Sequence, residues 1–241
     1  MKEIKTSSVQ RPEIDWVTIP AGTFIMGNPK DEVGWLKGQT QYQVTLDAFR
    51  MSKYPITFNQ YDLFCLSTGI DKPWDNDWGR DNRPVIHVSW DDTVAFAQWM
   101  RCRLPTEAEW EYACRAGTRT PFNTGENLTT SQANYDGNRT YNNNPKGEFR
   151  KRTMPVDSFS PNAWGLYDMH GNVTEWCSDW FDDDYPIDSQ INPKGPSTGT
   201  TRVLRGGGWH FDAQNCRSGS RNDRPPSYKG HFTGFRLVSS L

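Results

Sequence analysis

Residues 103–113 read Arg103-Leu104-Pro105-Thr106-Glu107-Ala108-Glu109-Trp110-Glu111-Tyr112-Ala113. Thr106 with Glu109 three positions on is a capping box, Pro105 stands just ahead of it, and Trp110, Ala113 and Cys114 share one stripe until Gly117 stops the turn. A helix is therefore expected to begin after Thr106. Upstream, Ser89 caps a second helix whose Trp90, Val94, Ala97 and Met100 recur on one face, and Thr57 caps a first, Phe58 to Leu66, stopped by Gly69. Only Arg101-Cys102 separates the second and third, so those helices are expected to meet at a sharp angle.

Further upstream, Trp16-Val17-Thr18-Ile19, Thr23-Phe24-Ile25-Met26 and Tyr42-Gln43-Val44-Thr45-Leu46 read as strands. The first two look like a hairpin around Pro20-Ala21-Gly22. From Gly117 to Pro155, Asn, Gly, Thr and Ser dominate, side chains that bond their own backbone, so one long loop region is predicted. A loop of that length inside a domain generally has a function or an ion to hold it. Strand-like pieces return at 164–167, 173–176, 203–205 and 234–238. Strands and helices nowhere alternate as a parallel sheet requires, so the fold class is α+β, loop-rich, with small antiparallel sheets and a few helices.

Composition narrows the function. The 241 residues carry 27 Lys+Arg against 29 Asp+Glu, a formal net charge of −2, which gives no long-range pull on nucleic acid or an anionic membrane. Apolar residues reach only 34% but aromatics 13%, with 11 Trp, so the core is expected to be built from a few large rings. No run approaches the ~20 apolar residues of a membrane span, and direct membrane insertion is not expected. The start MKEIKTSSVQRPEIDW has no apolar signal segment; localisation stays open, surface display or secretion with a leader outside this chain included. Cys65, Cys102, Cys114, Cys177 and Cys216 show no C-x-x-C pair and read as free buried thiols.

Five phrases together resemble the formylglycine-generating-enzyme, or sulfatase-modifying-factor, family. They are Ile19-Pro20-Ala21-Gly22-Thr23-Phe24 with Met26-Gly27; Val88-Ser89-Trp90-Asp91-Asp92; residues 103–113; Gly165-Leu166-Tyr167-Asp168-Met169 with Gly171-Asn172-Val173 and Glu175-Trp176; and Arg205-Gly206-Gly207 with Trp209. They run in order from about Asp15 to Val238. The resemblance implies a single domain over 15–241, an elaborated C-type lectin fold, behind an N-terminal tail at 1–14.

The family's oxidase binds copper through two cysteines near the C-terminus. The resemblance puts Cys216 at the second position and Phe211 at the first, so one thiolate is missing. Soft Cu(I) needs paired sulfurs, and no copper or oxidase activity is expected. Related sulfoxide synthases hold iron with three histidines supplied mainly by an extra domain; here the histidines are His87, His170, His210 and His231. The family also carries structural calcium. One site's pattern falls on Asp168 and Glu175 through side chains and on Gly171 and Val173 through carbonyls, hard oxygens that suit Ca²⁺. The alternative for Glu175 is a buried pair with Arg205 or Arg236. A second site falls near Asn134, Tyr135 and Glu148. Asp182-Asp183-Asp184 reads as a solvated loop, and Asn172 as structural.

Residues 206–236 resemble the variable region of proteins diversified by retroelements, which share the lectin-type fold and a Gly-Gly-x-Trp … Asn-Cys-Arg … Gly-Phe-Arg frame. Randomised adenines in Asn codons cannot yield Trp, Met, Lys, Gln or Glu, so Trp209, Gln214 and Lys229 would be constant. The candidate ligand residues are His210, Phe211, Asp212, Ser220, Asp223, Ser227, Tyr228, His231, Phe232 and Thr233. Large rings alternating with short polar groups suit a binding surface. Phe211 and Phe232 are expected to be exposed and Trp209 to belong to the core. The function expected is non-enzymatic binding of a protein or glycan ligand at one patch on which these ten converge, with no nucleic acid. The alternatives are an oxygen-dependent modifying enzyme, or a non-catalytic paralogue with a fixed partner.

Overall fold

In the computed structural model residues 10–34 and 40–241 are described; most of the expected tail, residues 1–9, lies outside them. Thr106 caps as its spacing predicts: its hydroxyl accepts from the Glu109 amide, and the Glu109 carboxylate accepts from Thr106 N at 2.8 Å. Helix α3 then runs Glu107–Arg115 and ends one residue before Gly117, at Ala116, which turns left-handed with φ 45°. Helices α1 (Phe58–Thr68) and α2 (Trp90–Trp99) carry capping boxes at Thr57 and Ser89. Between α2 and α3 the chain reverses through Arg101 at φ 59°, after which Arg103 exchanges both backbone hydrogen bonds with Val238.

The strands pair differently from the expected hairpin. Strand β1 (Trp16–Ile19) pairs antiparallel with β4 (Phe49–Ser52), which also pairs with β10 (Val238–Ser240). Strand β2 (Gly22–Met26) instead pairs with β3 (Tyr42–Leu46), and β3 takes β6 (Gln190–Ile191) in parallel. The chain changes sheets at Gly22, where a Cβ would collide with the Tyr112 hydroxyl of α3. Helix α3 thus packs directly against the point at which the chain changes sheets. The third sheet runs β8 (Arg221–Arg224), β7 (Arg202–Arg205), β5 (Thr174–Trp180), β9 (Thr233–Gly234), the last parallel. The sheets are therefore mixed rather than purely antiparallel. Residues 164–167 form a turn instead of a strand, because the Asn162 side-chain oxygen accepts from the amides of Trp164 and Leu166.

Alternate residues of the β5–β7 sheet feed two apolar clusters. Cys177 and Val203 pack with α3 and β1–β4, whereas Trp176 and Leu204 pack with α1 and α2. One sheet thus serves both clusters, as period-two side-chain alternation allows. The long loop contributes a third cluster, in which Phe122, Leu128, Ala133, Tyr135 and Tyr141 close over Ala213 and Cys216. Arg205, fully buried, ties β7 to α3 by pairing with Glu107 at 3.1 Å and with Glu111. Together the described residues form the loop-rich, C-type lectin-like α+β fold.

Candidate functional site

The C-terminal segment is shaped by two left-handed glycines at the end of β7. Gly206 (φ 93°) lies against the Trp110 ring and Gly207 (φ 69°) against Cys216 Sγ, close approaches that a Cβ would block. The chain then emerges at Trp209, whose amide donates to Asn172 O at 3.0 Å and whose indole donates to His231 O at 3.1 Å. It folds through a short 3₁₀ turn at Ala213–Cys216, returns along β8, and re-enters at β9.

Rings from both ends of this excursion meet. His210 lies 4.2 Å from Phe211, 4.4 Å from Phe232 and 5.4 Å from His231, centroid to centroid, and Tyr228 lies 5.8 Å from Phe232. Other segments extend the face. Phe149 of the long loop stacks on Trp209 at 6.0 Å, Trp78 meets Trp209 edge-on at 5.3 Å, and His87 bridges Trp74 to His231. Trp74 is 60% exposed, and Trp209, His210, Phe211, Tyr228 and His231 are half-buried, so the cluster surfaces as one aromatic face. Burial, with the charges of His231 and Arg224, lowers His210 to about 4, so its imidazole is neutral at pH 7. Burial likewise lowers His87 and His231. Among the described residues His210 Nδ1 is buried without a hydrogen-bond partner, a polar atom that a ligand could satisfy.

Six of the ten expected ligand residues, His210, Phe211, Ser227, Tyr228, His231 and Phe232, lie in or beside this face, but not all in the expected role. Phe232 is only 5% exposed, because His210, Phe211, Tyr228 and His231 cover it; it is the floor of the face, not its surface. Thr233, fully buried, exchanges hydrogen bonds with Gly230 in the turn before β9. Ser220 is buried beside β8, and Asp212 caps the 3₁₀ turn by accepting from Asn215 N at 3.2 Å. Asp223 alternates to the opposite side of β8, toward Asp182 and Thr198. Ser227 is exposed at the rim. Trp74, Trp78, His87 and Phe149 were outside the expected set. The Lys72-Pro73-Trp74-Asp75-Asn76-Asp77-Trp78-Gly79 stretch, two indoles in a polar loop, is the sequence signal that could have found two of them. Trp209 is half-buried, one of the face's rings rather than a core residue.

The sulfatase-modifying factor enzyme 1-like domain matches this chain over residues 1–241. The chain belongs to that family. The formylglycine-generating enzyme of Mus musculus is 32% identical over 277 aligned positions, covering 92% of this chain and 74% of its own. Among solved structures, PvdO from Pseudomonas aeruginosa superposes with a TM-score of 0.82 at 31% identity, covering 94% of each chain. Treponema denticola variable protein 1 superposes at 0.79 with 25% identity, covering 97% of this chain and 98% of its own.

At the two positions where the resemblance implies paired thiolates, this member of the sulfatase-modifying factor family has one cysteine. Phe211 presents a ring, and Cys216 is fully buried with its thiol on Asp212 O at 3.5 Å; burial pushes that thiol far up. Cys114, on α3, is buried too, its thiol on Met169 O at 3.6 Å and Ser218 Oγ at 3.7 Å, and pushed up to about 12. Both are thiols rather than thiolates at neutral pH. Among the described residues no group of three or more His, Cys, Asp or Glu is placed to hold a metal ion.

The calcium site that the resemblance implies rests on two carboxylates and two backbone carbonyls, fewer acids than such a group. Glu175 makes the alternative pairing: Arg236 donates to it at 2.6 and 2.7 Å, and Trp110 Nε1 donates at 2.8 Å. Asp168, by contrast, is buried and among the described residues accepts one side-chain hydrogen bond, from Asn172 at 3.3 Å, and desolvation pushes its carboxyl up to about 8. A buried acid so weakly compensated fits a cation, and Glu175 Oε1, holding one donor, keeps a lone pair for it. At the second expected site, the Glu148 carboxylate pairs with Arg150 at 3.0 Å, while Asn134 Oδ1 is buried without a hydrogen-bond partner among the described residues.

Proposed function

We propose that this family member is a non-enzymatic ligand-binding protein that uses the aromatic face formed by segment 206–236 and the 74–87 loop. One observation carries the proposal: half-exposed rings from separate parts of the chain converge on the surface around His210, whose buried Nδ1 has no partner among the described residues. Rings supply contact area at little entropy cost, while His210, His231 and Ser227 offer adaptable hydrogen bonds. Phe211, standing where the oxidase needs a thiolate, supports binding over oxidation. The ligand expected is a protein or a glycan, and the similarity to a variable protein supports diversification of residues 206–236. The relatives named formylglycine-generating enzyme favour the second reading, an oxygen-dependent modifying enzyme.

Sequencing the DNA around the gene tests the diversification. A second copy of codons 206–236 differing only at adenine positions is expected, with substitutions concentrated at His210, Phe211, Tyr228 and His231. Absence of any such copy removes the diversified part of the proposal, and appreciable formylglycine formation on a sulfatase peptide overturns the rest.

For Ca²⁺, we propose that Asp168 and Glu175 carboxylates with the Gly171 and Val173 carbonyls hold one ion that neutralises Asp168 and ties the 168–175 turn to β5. Its role is structural.

A further inference from the structure

A second cavity lies away from the aromatic face. It opens between the start of α3, the end of β5 and the 182–196 loop, with a volume of about 440 Å³, within the size range of small-ligand sites. Tyr42, Trp180 and Tyr185 line it beside Asp179, Asp182 and Asp184. Two of its charged groups are already satisfied. Glu107 accepts from Arg221 at 2.7 and 2.9 Å, from Arg205 at 3.1 Å and from Tyr185 at 3.0 Å. Arg221 also donates to Asp182 O at 2.7 Å.

Asp179 is different. It is 4% exposed, and its Oδ2 accepts from the Glu107 amide at 3.0 Å and from Ser178 Oγ at 2.9 Å. Its Oδ1 takes no hydrogen bond from any described residue and faces Gly195 in the cavity wall, where a Cβ would sit 3.1 Å away. Burial and the Glu107 carboxylate push the acid up to about 7, as expected for a desolvated carboxylate without a counter-charge.

We propose that this cavity binds a primary ammonium group, with Asp179 Oδ1 as its charge partner and the Tyr42, Trp180 and Tyr185 rings as walls. A guanidinium would want both carboxylate oxygens free for its fork, and Asp179 offers one. A divalent metal would want several hard oxygens converging at one point, and among the described residues no three His, Cys, Asp or Glu side chains converge in this cavity. An ammonium needs one desolvated carboxylate and rim acceptors, which Asp182 and Asp184 supply; of the wall rings, Trp180 and Tyr185 already carry the Arg202 and Arg221 guanidinium groups, at 3.4 and 4.1 Å. The opposing charges are Lys194, exposed on the rim, and Arg221, whose guanidinium is already paired with Glu107.

Calorimetric titration at pH 8 of the whole chain with cadaverine and with Nα-acetyl-lysine methylamide tests this, the matching norleucine amide serving as the neutral control. Binding of either amine, without the control, is expected; a response to the lysine derivative alone assigns a peptide side chain, and to cadaverine alone a free amine. Asp179→Asn keeps an oxygen for the Glu107 amide and should weaken binding about ten-fold or more, with an unchanged melting temperature. Lys194→Met should tighten it, and Trp74→Ala should leave it unaltered, which separates this site from the aromatic face. No heat with either amine at about 10 mM overturns the proposal. So does unchanged affinity in Asp179→Asn or, should that variant not fold, affinity in Lys194→Met that fails to rise.

Discussion

Phe232→Ala and Trp74→Ala, made in parallel, separate the floor of the aromatic face from its surface. Phe232 is 5% exposed and has four ring neighbours within 5.8 Å, so truncation removes a packed ring and leaves a cavity. Substitutions of that kind cost about 3–5 kcal/mol. At ~2–4 °C per kcal/mol for a chain of this size, the midpoint should fall by roughly 6–20 °C. Trp74, 60% exposed, has mainly the His87 ring to lose, stacked at 5.7 Å, and its truncation should stay within about 0.5 kcal/mol. Urea titration followed by tryptophan fluorescence measures both, and an unchanged slope for each variant keeps the comparison one of stability. The Trp74 variant should bind its partner worse while folding as well as the parent. A Phe232→Ala loss below about 1 kcal/mol, or a Trp74→Ala loss above about 2 kcal/mol, would refute the division into floor and surface.

Incubating the protein with copper, oxygen and a sulfatase-motif peptide should leave the peptide cysteine intact, checked by mass spectrometry, because Phe211 cannot serve as a thiolate. Chelator should lower the melting temperature, and Asp168→Asn should abolish that sensitivity; identical melting with and without chelator would argue against calcium. His210 titrates near 4 in the fold against an ordinary 6.5, so the unfolded chain binds the extra proton between those values. That stabilisation is full above about pH 6.5 and is lost as pH falls toward 4, and NMR titration of the imidazole checks it. In chelator, Arg236→Leu leaves the buried Glu175 carboxylate without its counter-ion and should cost about 3–5 kcal/mol in urea denaturation.

The helices were legible because their information is local. Thr57, Ser89 and Thr106 each bond an amide three residues away, and that spacing is visible in the chain itself. Strand β8, Arg221-Asn222-Asp223-Arg224, shows no apolar alternation and exists because β7 offers it an edge. Asp212 and Asp223 resembled ligand residues by composition alone. Whether a short polar side chain caps a turn, crosses a strand or meets solvent depends on backbone direction, which composition does not encode.

By itself the sequence determined the family, the capping signals and the loss of one thiolate at Phe211, each of which is a matter of residue identity in order. Only the tertiary structure decided that β1 and β2 part at Gly22, that Phe232 lies beneath the face while Trp74 lies upon it, and that Asp179 keeps one oxygen open to a cavity. These depend on contacts between residues such as His87 and His231, or Glu107 and Asp179, that are distant along the chain. Burial is a property of what surrounds a side chain, and for these residues the surroundings come from other segments.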